Sequence, residues 1–300
     1  MGGCRTGSVF TSKTAQAAWK RYYAGAVAVA VTFLYLRVGY FGANHVWQTN
    51  YTLTTAKKVG TLRMALISDS HVGTTFNGKG SAAHTNRINA QKPDIVVITG
   101  DFVDESTSKT DMLDACSALG QLNPAYGIYF VFGNHDKGKY DANGQRGYNG
   151  DDLITQLQKN VTVLQDETVL IDNRFYLVGR QDASEELDFG GGRATAAEWT
   201  GSLNTEKYAI VLDHQPRDYT AEAQTNADLV LSSHTHGGQM IPLMQFMRWF
   251  HLGEDNIYGL ECHNNTDFIV TSGISDWAMQ FQTGCISEYV MITIKGQQSN

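Results

Sequence analysis

From about residue 61 onward, short apolar runs alternate with stretches in which apolar residues recur at helical spacing. The apolar runs predict strands, and most are apolar throughout, as in sheets that are buried on both faces. The predicted strands cover residues 63–68, 94–99, 127–132, 168–171, 175–178, 208–212, 228–231, 268–271 and 287–294. The predicted helices cover residues 82–91, 110–119 and 151–159. This alternation predicts an α/β fold in which helices cover the sheets.

A segment without charged residues occupies positions 22–36, ahead of the alternating region. Lys20 and Arg21 precede it, Arg37 follows it, and the chain stays largely apolar as far as Trp47. A membrane-spanning helix needs about 20 apolar residues, a length reached here if the Arg37 side chain extends to the membrane surface. We expect an uncleaved, single-pass membrane anchor; a cleaved secretory signal is the alternative. The Lys20–Arg21 pair favours a cytoplasmic N-terminus, which places the rest of the chain outside the cytoplasm.

The charge distribution divides the chain in the same way. All 30 acidic residues lie at or after Asp69, whereas eight of the 23 basic residues precede it. A basic head suits an anionic membrane surface, and the acidic remainder is a poor general binder of nucleic acid. We therefore expect a basic tail, anchor and linker over residues 1–54, a globular domain over residues 55–300, and no nucleic-acid partner.

Five polar clusters follow apolar runs in a fixed order along the chain. They are Asp69-Ser70-His71, Gly100-Asp101, Gly133-Asn134-His135-Asp136, Asp213-His214 and His234-Thr235-His236. Each lies just past the end of a predicted strand, at the edge where open α/β sheets bind ligands. Together they offer carboxylates, imidazoles and one amide oxygen, a donor set suited to divalent metals that activate water. The clusters contain no cysteine, which disfavours a structural zinc module.

The clusters closely resemble the five ordered motifs of the calcineurin-like metallophosphoesterase superfamily. The family pattern is D-x-H, G-D-x-x-D, G-N-H-D/E, a lone His and G-H-x-H, and Asp104 fills the last position of the second motif. Ser233 stands where the fifth motif usually has Gly, which puts the local backbone shape in question. The wider strings SDSHVG, ITGDFVD, VFGNHDK, LDHQP and SHTHGGQ are similar to a branch of membrane-associated bacterial phosphodiesterases, some of which act on UDP-2,3-diacylglucosamine.

The resemblance covers residues 61–295 and implies a four-layer αββα sandwich, to which we add an N-terminal hydrophobic anchor helix. It also implies two divalent metal ions, for which Mn, Fe and Zn are all compatible with the donor set. One ion is expected on Asp69, His71, Asp101 and His236, and the other on Asp101, Asn134, His214 and His234. A hydroxide that bridges the ions is expected to attack phosphorus in line. His135 is the expected general acid or transition-state stabiliser, with Asp136 orienting its ring.

We therefore expect a metal-dependent phosphodiesterase or pyrophosphohydrolase that acts on a lipid-linked or cell-envelope substrate. Residues 240–253 carry Phe246, Trp249 and Phe250, either as core packing or as an apolar flap that meets acyl chains. The alternatives are a phosphomonoesterase or nucleotidase acting on a soluble substrate, and a non-catalytic scaffold of the same fold. The scaffold is disfavoured because His135 and all seven ligand positions are present. Residues that bind the substrate are not identified by the motifs.

Overall fold

The computed structural model describes residues 10–188, 190–250 and 254–298. The strands in these ranges are β1 (Val46–Thr54), β2 (Thr61–Ile67), β3 (Ile95–Thr99), β4 (Ile128–Val131), β5 (Thr162–Val163), β6 (Glu167–Ile171), β7 (Phe175–Gly179), β8 (Tyr208–Leu212), β9 (Leu229–Ser232), β10 (Gly259–His263), β11 (Thr266–Val270) and β12 (Ser287–Lys295). The helices are α1 (Phe10–Asn44), α2 (Gly78–Ala90), α3 (Lys109–Leu119), α4 (Gly150–Leu157), α5 (Ser184–Leu187), α6 (Ala196–Thr200), α7 (Tyr219–Glu222) and α8 (Leu243–Phe250), with a 3₁₀ turn at His236–Gly238.

The strands form two six-stranded sheets. The first has the order β1-β12-β2-β3-β4-β5 and is parallel from β2 to β5. The second has the order β10-β11-β9-β8-β7-β6 and is parallel from β11 to β7. Helices α2 and α3 lie in the crossovers between parallel neighbours of the first sheet, which matches the predicted alternation.

Successive residues of the central strands point into different cores. In β2, Met64 and Leu66 pack between the two sheets, whereas Ala65 and Ile67 pack with helical residues such as Met112 on the outer face. A third core, on the outer face of the second sheet, contains residues of α6 and α7. Because strand side chains alternate between faces, central strands covered on both sides are apolar throughout. The layers are helix, sheet, sheet and helix, which confirms the predicted fold class.

The structure moves some predicted boundaries for local reasons. The helix predicted from residue 82 begins at Gly78, because the Asn77 side chain accepts a hydrogen bond from the Gly80 N–H and caps the first turn. Ser108 caps α3 in the same way by accepting from the Asp111 N–H. Such polar caps precede the apolar pattern and so fall outside a prediction based on periodicity.

Residues 46–54 form a strand, where the sequence predicts a linker. β1 lies parallel to β12 along nine residue pairs. Val46 and Leu53 are buried, and the Thr49 hydroxyl donates to Glu288. Polar residues interrupt this segment because an edge strand needs only part of its surface buried. The linker assignment of these residues is therefore corrected.

The N-terminal apolar helix is present, and within the described residues its stretch Tyr22–Asn44 is long and apolar enough to cross a membrane. Residues 22–38 are exposed, whereas Gly39 and Ala43 near the helix end are buried. The helix is followed almost directly by β1. The apolar segment therefore joins the sandwich without a long connection.

Candidate metal centre

The five clusters lie at the carboxyl ends of strands in both sheets. Asp69, Asp101 and Asn134 follow β2, β3 and β4 of the first sheet. His214 and His234 follow β8 and β9 of the second sheet. The paired sheets therefore bring all five clusters to one edge of the sandwich, as predicted from their positions after strands.

The backbone at these positions is unusual. Asp69, His71, Asp101, His234 and His236 have φ values of 49°, 34°, 48°, 70° and 50°. Residues other than glycine seldom occupy this left-handed region, and each such residue costs on the order of 1–3 kcal/mol. Backbone conformations of this kind concentrate at functional sites, where they aim side chains that regular strands cannot.

Gly100, the glycine before Asp101 in the second motif, is required for a steric reason. Gly100 has φ 86°, and a Cβ atom added there would overlap the backbone of Gly133 in the neighbouring loop. The loops after β3 and β4 therefore touch backbone to backbone. This contact brings Asp101 and Asn134 side by side.

Asp69, His71 and His236 form the first group of ligand atoms, which lie within 4.8 Å of one another. The Nε2 atoms of the two histidines are 3.2 Å apart. Their Nδ1 atoms face acceptors, Asp104 Oδ2 at 3.3 Å and the Ser275 carbonyl oxygen at 3.2 Å. With the protons on Nδ1, two Nε2 lone pairs face each other, an arrangement that a shared cation would stabilise. Asp69 Oδ1 is also buried without a hydrogen-bond partner, so a cation would satisfy it too.

Asp101, His214 and His234 form the second group, again within 4.8 Å of one another. His214 Nε2 lies 3.2 Å from Asp101 Oδ2 and 3.2 Å from Asn134 Oδ1. Its Nδ1 is 2.7 Å from the carbonyl oxygen of Thr99 and donates to it. Nε2 therefore converges with a carboxylate oxygen and an amide oxygen, and once deprotonated it would complete a set of three ligand atoms.

Asp101 lies between the two groups, since its Oδ2 is also 3.7 Å from His71 Nε2. Burial opposes the ionised form, but the neighbouring His214 holds the pKa of Asp101 well below its usual value. Burial lowers the pKa of His234 and of His236 to about 3, so both are neutral imidazoles at neutral pH. Burial opposes the charged form of His71 and His214 as well, but the surrounding carboxylates raise the pKa of both rings. A divalent cation would take the place of that positive charge beside Asp101.

Ser233, the departure from the family pattern, is accommodated without strain. It is buried, and it is not among the residues with left-handed backbone. Its hydroxyl donates to the Thr99 carbonyl at 3.0 Å and lies 2.6 Å from Ser68 Oγ. The side chain also contacts His214 Nδ1 at 3.1 Å, so it helps to hold that ring.

The ring of His135 is oriented by Glu105, and the expected role of Asp136 is wrong. His135 Nδ1 lies 3.0 Å from Glu105 Oε2. Asp136 instead accepts four hydrogen bonds of 2.8–3.1 Å from backbone N–H groups of the loops after β3 and β4. Its carboxylate is buried between those loops and braces them, so neither oxygen is directed at the ring.

A cavity of about 470 Å³ opens over the centre. It is lined by Asp101, Glu105, Asn134, His135, Tyr140, His234, His236 and Trp277. Tyr140 and Trp277 form an aromatic wall, with ring centres 4.7 Å and 6.0 Å from that of His135.

The motifs do not identify three of these lining residues. Glu105 directly follows Asp104 of the second motif, and Tyr140 lies in the loop after the third, so proximity to a motif was an available signal for both. Trp277 follows no motif, and the fold alone brings it to the site.

The apolar stretch after the fifth motif is described as far as Phe250, and residues 251–253 lie outside the described residues. Phe246, Trp249 and Phe250 of α8 are 47%, 73% and 64% exposed. These exposures rule out core packing for these three side chains and leave an exposed apolar flap.

Residues 62–238 match the calcineurin-like phosphoesterase family. The chain is 30% identical over 241 residues to an uncharacterized metallophosphoesterase of Campylobacter jejuni, covering 79% of this chain and 60% of that protein. It is 31% identical over 241 residues to a Danio rerio transmembrane protein with metallophosphoesterase domain, covering 78% and 53%. An uncharacterized metallophosphoesterase of Aquifex aeolicus is 34% identical over 191 residues, covering 63% and 69%.

The chain thus spans only 60% and 53% of the first two of these relatives. Among solved structures, a dimetal phosphatase from Danio rerio is similar with a TM-score of 0.45 and 11% identity, covering 72% of this chain and 88% of that one.

Proposed function

We propose that this chain, which belongs to the calcineurin-like phosphoesterase family, is a metal-dependent phosphoester hydrolase. The observation that carries the proposal is the convergence of buried metal-ligand atoms from distant parts of the chain. His71 and His236 direct Nε2 atoms at each other across 3.2 Å, beside a buried Asp69 oxygen that has no partner. Such an arrangement is unfavourable for a structural core and favourable for a cation.

The two groups of ligand atoms support two divalent ions, with Mn, Fe or Zn as candidates. Asp69, His71, Asp101 and His236 are proposed for one ion, and Asp101, Asn134, His214 and His234 for the other. When bound, such a metal pair lowers the pKa of water and stabilises the charge that develops on phosphorus oxygens. The chain itself supplies a rigid cradle, because Asp104, the Thr99 carbonyl and the Ser275 carbonyl fix the three rings from behind.

His135 is proposed to hand a proton to the leaving oxygen or to hydrogen-bond the phosphoryl group. Glu105 engages Nδ1, which leaves Nε2 free to meet the substrate in the cavity. Asp136 is proposed to act indirectly, by bracing the loops that carry Asp101 and His135.

We further propose a phosphodiester or pyrophosphate substrate that is lipid-linked or part of the cell envelope. The apolar helix Tyr22–Asn44 and the Danio rerio relative described as a transmembrane protein support membrane anchoring. The proposed organisation is a single-pass anchor within residues 1–54, followed by an extracytoplasmic metallophosphoesterase domain. The side of the membrane rests on the Lys20–Arg21 pair.

Hydrolysis by the purified full chain tests this function. The protein in detergent is stripped with a chelator, reloaded with Mn²⁺, Fe²⁺ or Zn²⁺, and assayed on bis-p-nitrophenyl phosphate and p-nitrophenyl phosphate. We expect metal-dependent hydrolysis that is faster on the diester. Outer-shell changes around metals cost about 10–100-fold, so Asp101→Asn, which removes the shared ligand, should cost at least about 100-fold.

The exposed His263 provides a matched control, since His263→Ala should leave the rate unchanged. Faster hydrolysis of the monoester would favour the soluble phosphomonoesterase or nucleotidase. Absence of hydrolysis with every metal would contradict the proposal and favour a non-catalytic scaffold.

A further inference from the structure

The C-terminal part of α1 is fixed to the body of the protein beside the metal centre. The Tyr35 hydroxyl donates to the Ile241 carbonyl at 2.7 Å, and its ring centre is 5.2 Å from that of Phe281. Phe281 packs so closely on Gly39 that a Cβ atom there would overlap its ring. The Gln282 N–H donates to the Gly39 carbonyl at 3.0 Å. The candidate membrane span is therefore not a free tether.

This attachment constrains how deep the body sits. The candidate span Tyr22–Asn44 has 23 residues, which is about 34 Å of helix against a hydrocarbon core of about 30 Å. If everything from Tyr35 onward stayed in water, only residues 22–34 would remain, or about 20 Å. To supply the missing length, the charged side chains of Lys20 and Arg21 would have to enter the hydrocarbon core of the bilayer, which is energetically costly. If Tyr22–Asn44 spans the membrane, the segments bound to Tyr35 and Gly39 therefore lie at the depth of the membrane.

The body presents an apolar surface at this attachment. We call it the α8 surface, and it consists of Ile241, Leu243, Phe246, Trp249, Phe250, Trp277 and Met279, which are 45–73% exposed. Ile241, which binds Tyr35, lies two residues before α8 begins. Exposed aromatic and aliphatic side chains of this kind lie favourably at the boundary between headgroups and acyl chains. The α8 surface is therefore continuous with the attachment of the candidate span.

The same surface adjoins the cavity over the metal centre. Trp277 belongs to both, and its carbonyl accepts from Gln239 Nε2 at 3.1 Å, just after the His236 turn. Gln282, which binds α1, also donates through Nε2 to the His236 carbonyl at 3.4 Å. The position of the cavity mouth relative to the membrane is therefore set by the contacts between α1 and the body.

We propose that the α8 surface enters the lipid bilayer beside α1 and sets the cavity mouth at the level of the lipid headgroups. The occupant of this surface is the bilayer itself. Building on the proposed hydrolase function, the substrate class is then a phosphoester in the headgroup of a bilayer lipid, whose acyl chains stay in the membrane during the reaction.

Depth-dependent fluorescence quenching tests the contact without reference to activity. The full chain is reconstituted into phosphatidylethanolamine–phosphatidylglycerol liposomes with or without bromine on the acyl chains, and tryptophan emission is compared with that of Trp249→Tyr. We expect brominated lipid to quench an emission component that Trp249→Tyr lacks. If brominated lipid does not quench the Trp249 component, the proposal is overturned. Cross-linking then shows whether a second copy of the chain covers the α8 surface instead of lipid.

The catalytic consequence is tested with two diesters, bis-p-nitrophenyl phosphate in solution and the p-nitrophenyl diester of phosphatidic acid in liposomes. Trp249→Glu should lower the rate on the lipid diester at least about tenfold, because a large aromatic side chain is no longer buried in the interface. The rate on the soluble diester should stay within about twofold. Leu170→Glu, which alters an exposed leucine on β6, is the matched control and should affect neither rate.

The outcomes separate the two proposals. If the unmodified chain hydrolyses neither diester, the proposed function fails while the quenching result still decides the membrane contact. If Trp249→Glu lowers both rates equally, or lowers neither, the role of the α8 surface in substrate access is overturned while the hydrolase function stands.

Discussion

Each histidine of the first group, and His214 of the second, is oriented by the partner of its second ring nitrogen. Asp104, the Ser275 carbonyl and the Thr99 carbonyl engage Nδ1 of His71, His236 and His214. Each partner holds the proton on Nδ1 and leaves Nε2 as the atom that faces the centre. The spacing of histidines within a motif therefore does not by itself determine the orientation of the rings, since the partners of Nδ1 come from other loops.

The Glu105–His135 contact gives a prediction at the residue scale. Glu105→Gln keeps the size of the side chain but removes the charge that holds the ring, so we expect kcat to fall about tenfold or more with little change in KM. The pH profile of kcat should shift as well. In a His135→Ala background the same change should have no further effect, because the two residues act as one unit.

The exposed Glu206 offers a matched control on the far side of the fold, and Glu206→Gln should leave both constants unchanged. Additive effects of Glu105→Gln and His135→Ala would show that Glu105 does not act through the ring.

His84 on α2 predicts a pH-dependent stability that is independent of the metal centre. Burial and the nearby Arg87 lower its pKa to about 4. The unfolded chain therefore takes up a proton near pH 6.5, while the folded chain stays neutral until about pH 4. The free energy of unfolding is therefore at its full value above pH 6.5, and it decreases by on the order of 3 kcal/mol as the pH falls toward 4.

Denaturant unfolding of the unmodified chain and of His84→Gln at pH 7.5, 5.5 and 4.5 measures this effect. We expect the free energy of unfolding of the unmodified chain to fall more steeply with acidification than that of the variant. Parallel pH dependences would rule out a perturbed His84.

Among the elements, β1 connects the candidate membrane span to the fold. It completes the first sheet by covering β12, and its residues Val46 and Leu53 are buried in two different cores. α1 meanwhile packs against the segment at 281–283. The chain between the candidate span and the sandwich is therefore structured at both ends, which a flexible linker would not be.

Shortened chains test the contribution of β1. A chain of residues 45–300 keeps the strand, and a chain of residues 55–300 loses it and exposes the edge of β12. We expect the shorter chain to be less stable by at least about 3 kcal/mol, since each buried aliphatic side chain contributes about 1.5–3 kcal/mol. Urea unfolding measures the difference, and equal midpoints would show that β1 is dispensable.

At the scale of the whole molecule, the candidate centre is held between the two sheets. Asp69 and Asp101 come from the first sheet, and His214 and His234 from the second. Bound cations would therefore link the sheets across their shared edge. Their removal should loosen the contact between the two halves, not merely stop the chemistry.

Metal removal should accordingly lower thermal stability. At 100 times its dissociation constant a ligand stabilises the folded state by about 2.7 kcal/mol, so restoring Mn²⁺ to chelated protein should raise Tm by about 5–10 °C. Asp101→Asn should lose most of this shift, whereas the exposed Asp151→Asn should keep it. A shift that is equal in the two variants would place the stabilising cation elsewhere.

The sequence by itself determines nine of the twelve strands in the described residues, helices α2, α3 and α4, the αββα class, the apolar N-terminal helix and the five clusters. These properties depend on periodicity and on short motifs, which are local. The structure brings six of the seven expected ligands together in two separate groups of three, with Asn134 beside the second group, and their role as ligands stays a prediction.

Only the tertiary structure decides which residues from distant parts of the chain meet. It pairs β1 with β12 and places the Glu105 carboxylate against the His135 ring. It also places the Asp136 carboxylate where it accepts hydrogen bonds from backbone N–H groups. It also brings Trp277 to the cavity and fixes Tyr35 to Ile241. Each of these contacts depends on how the sheets stack and on loop conformations such as the left-handed backbone at Asp69 and His236. Packing of this kind leaves no periodic trace in the sequence, because it joins positions whose spacing along the chain is arbitrary.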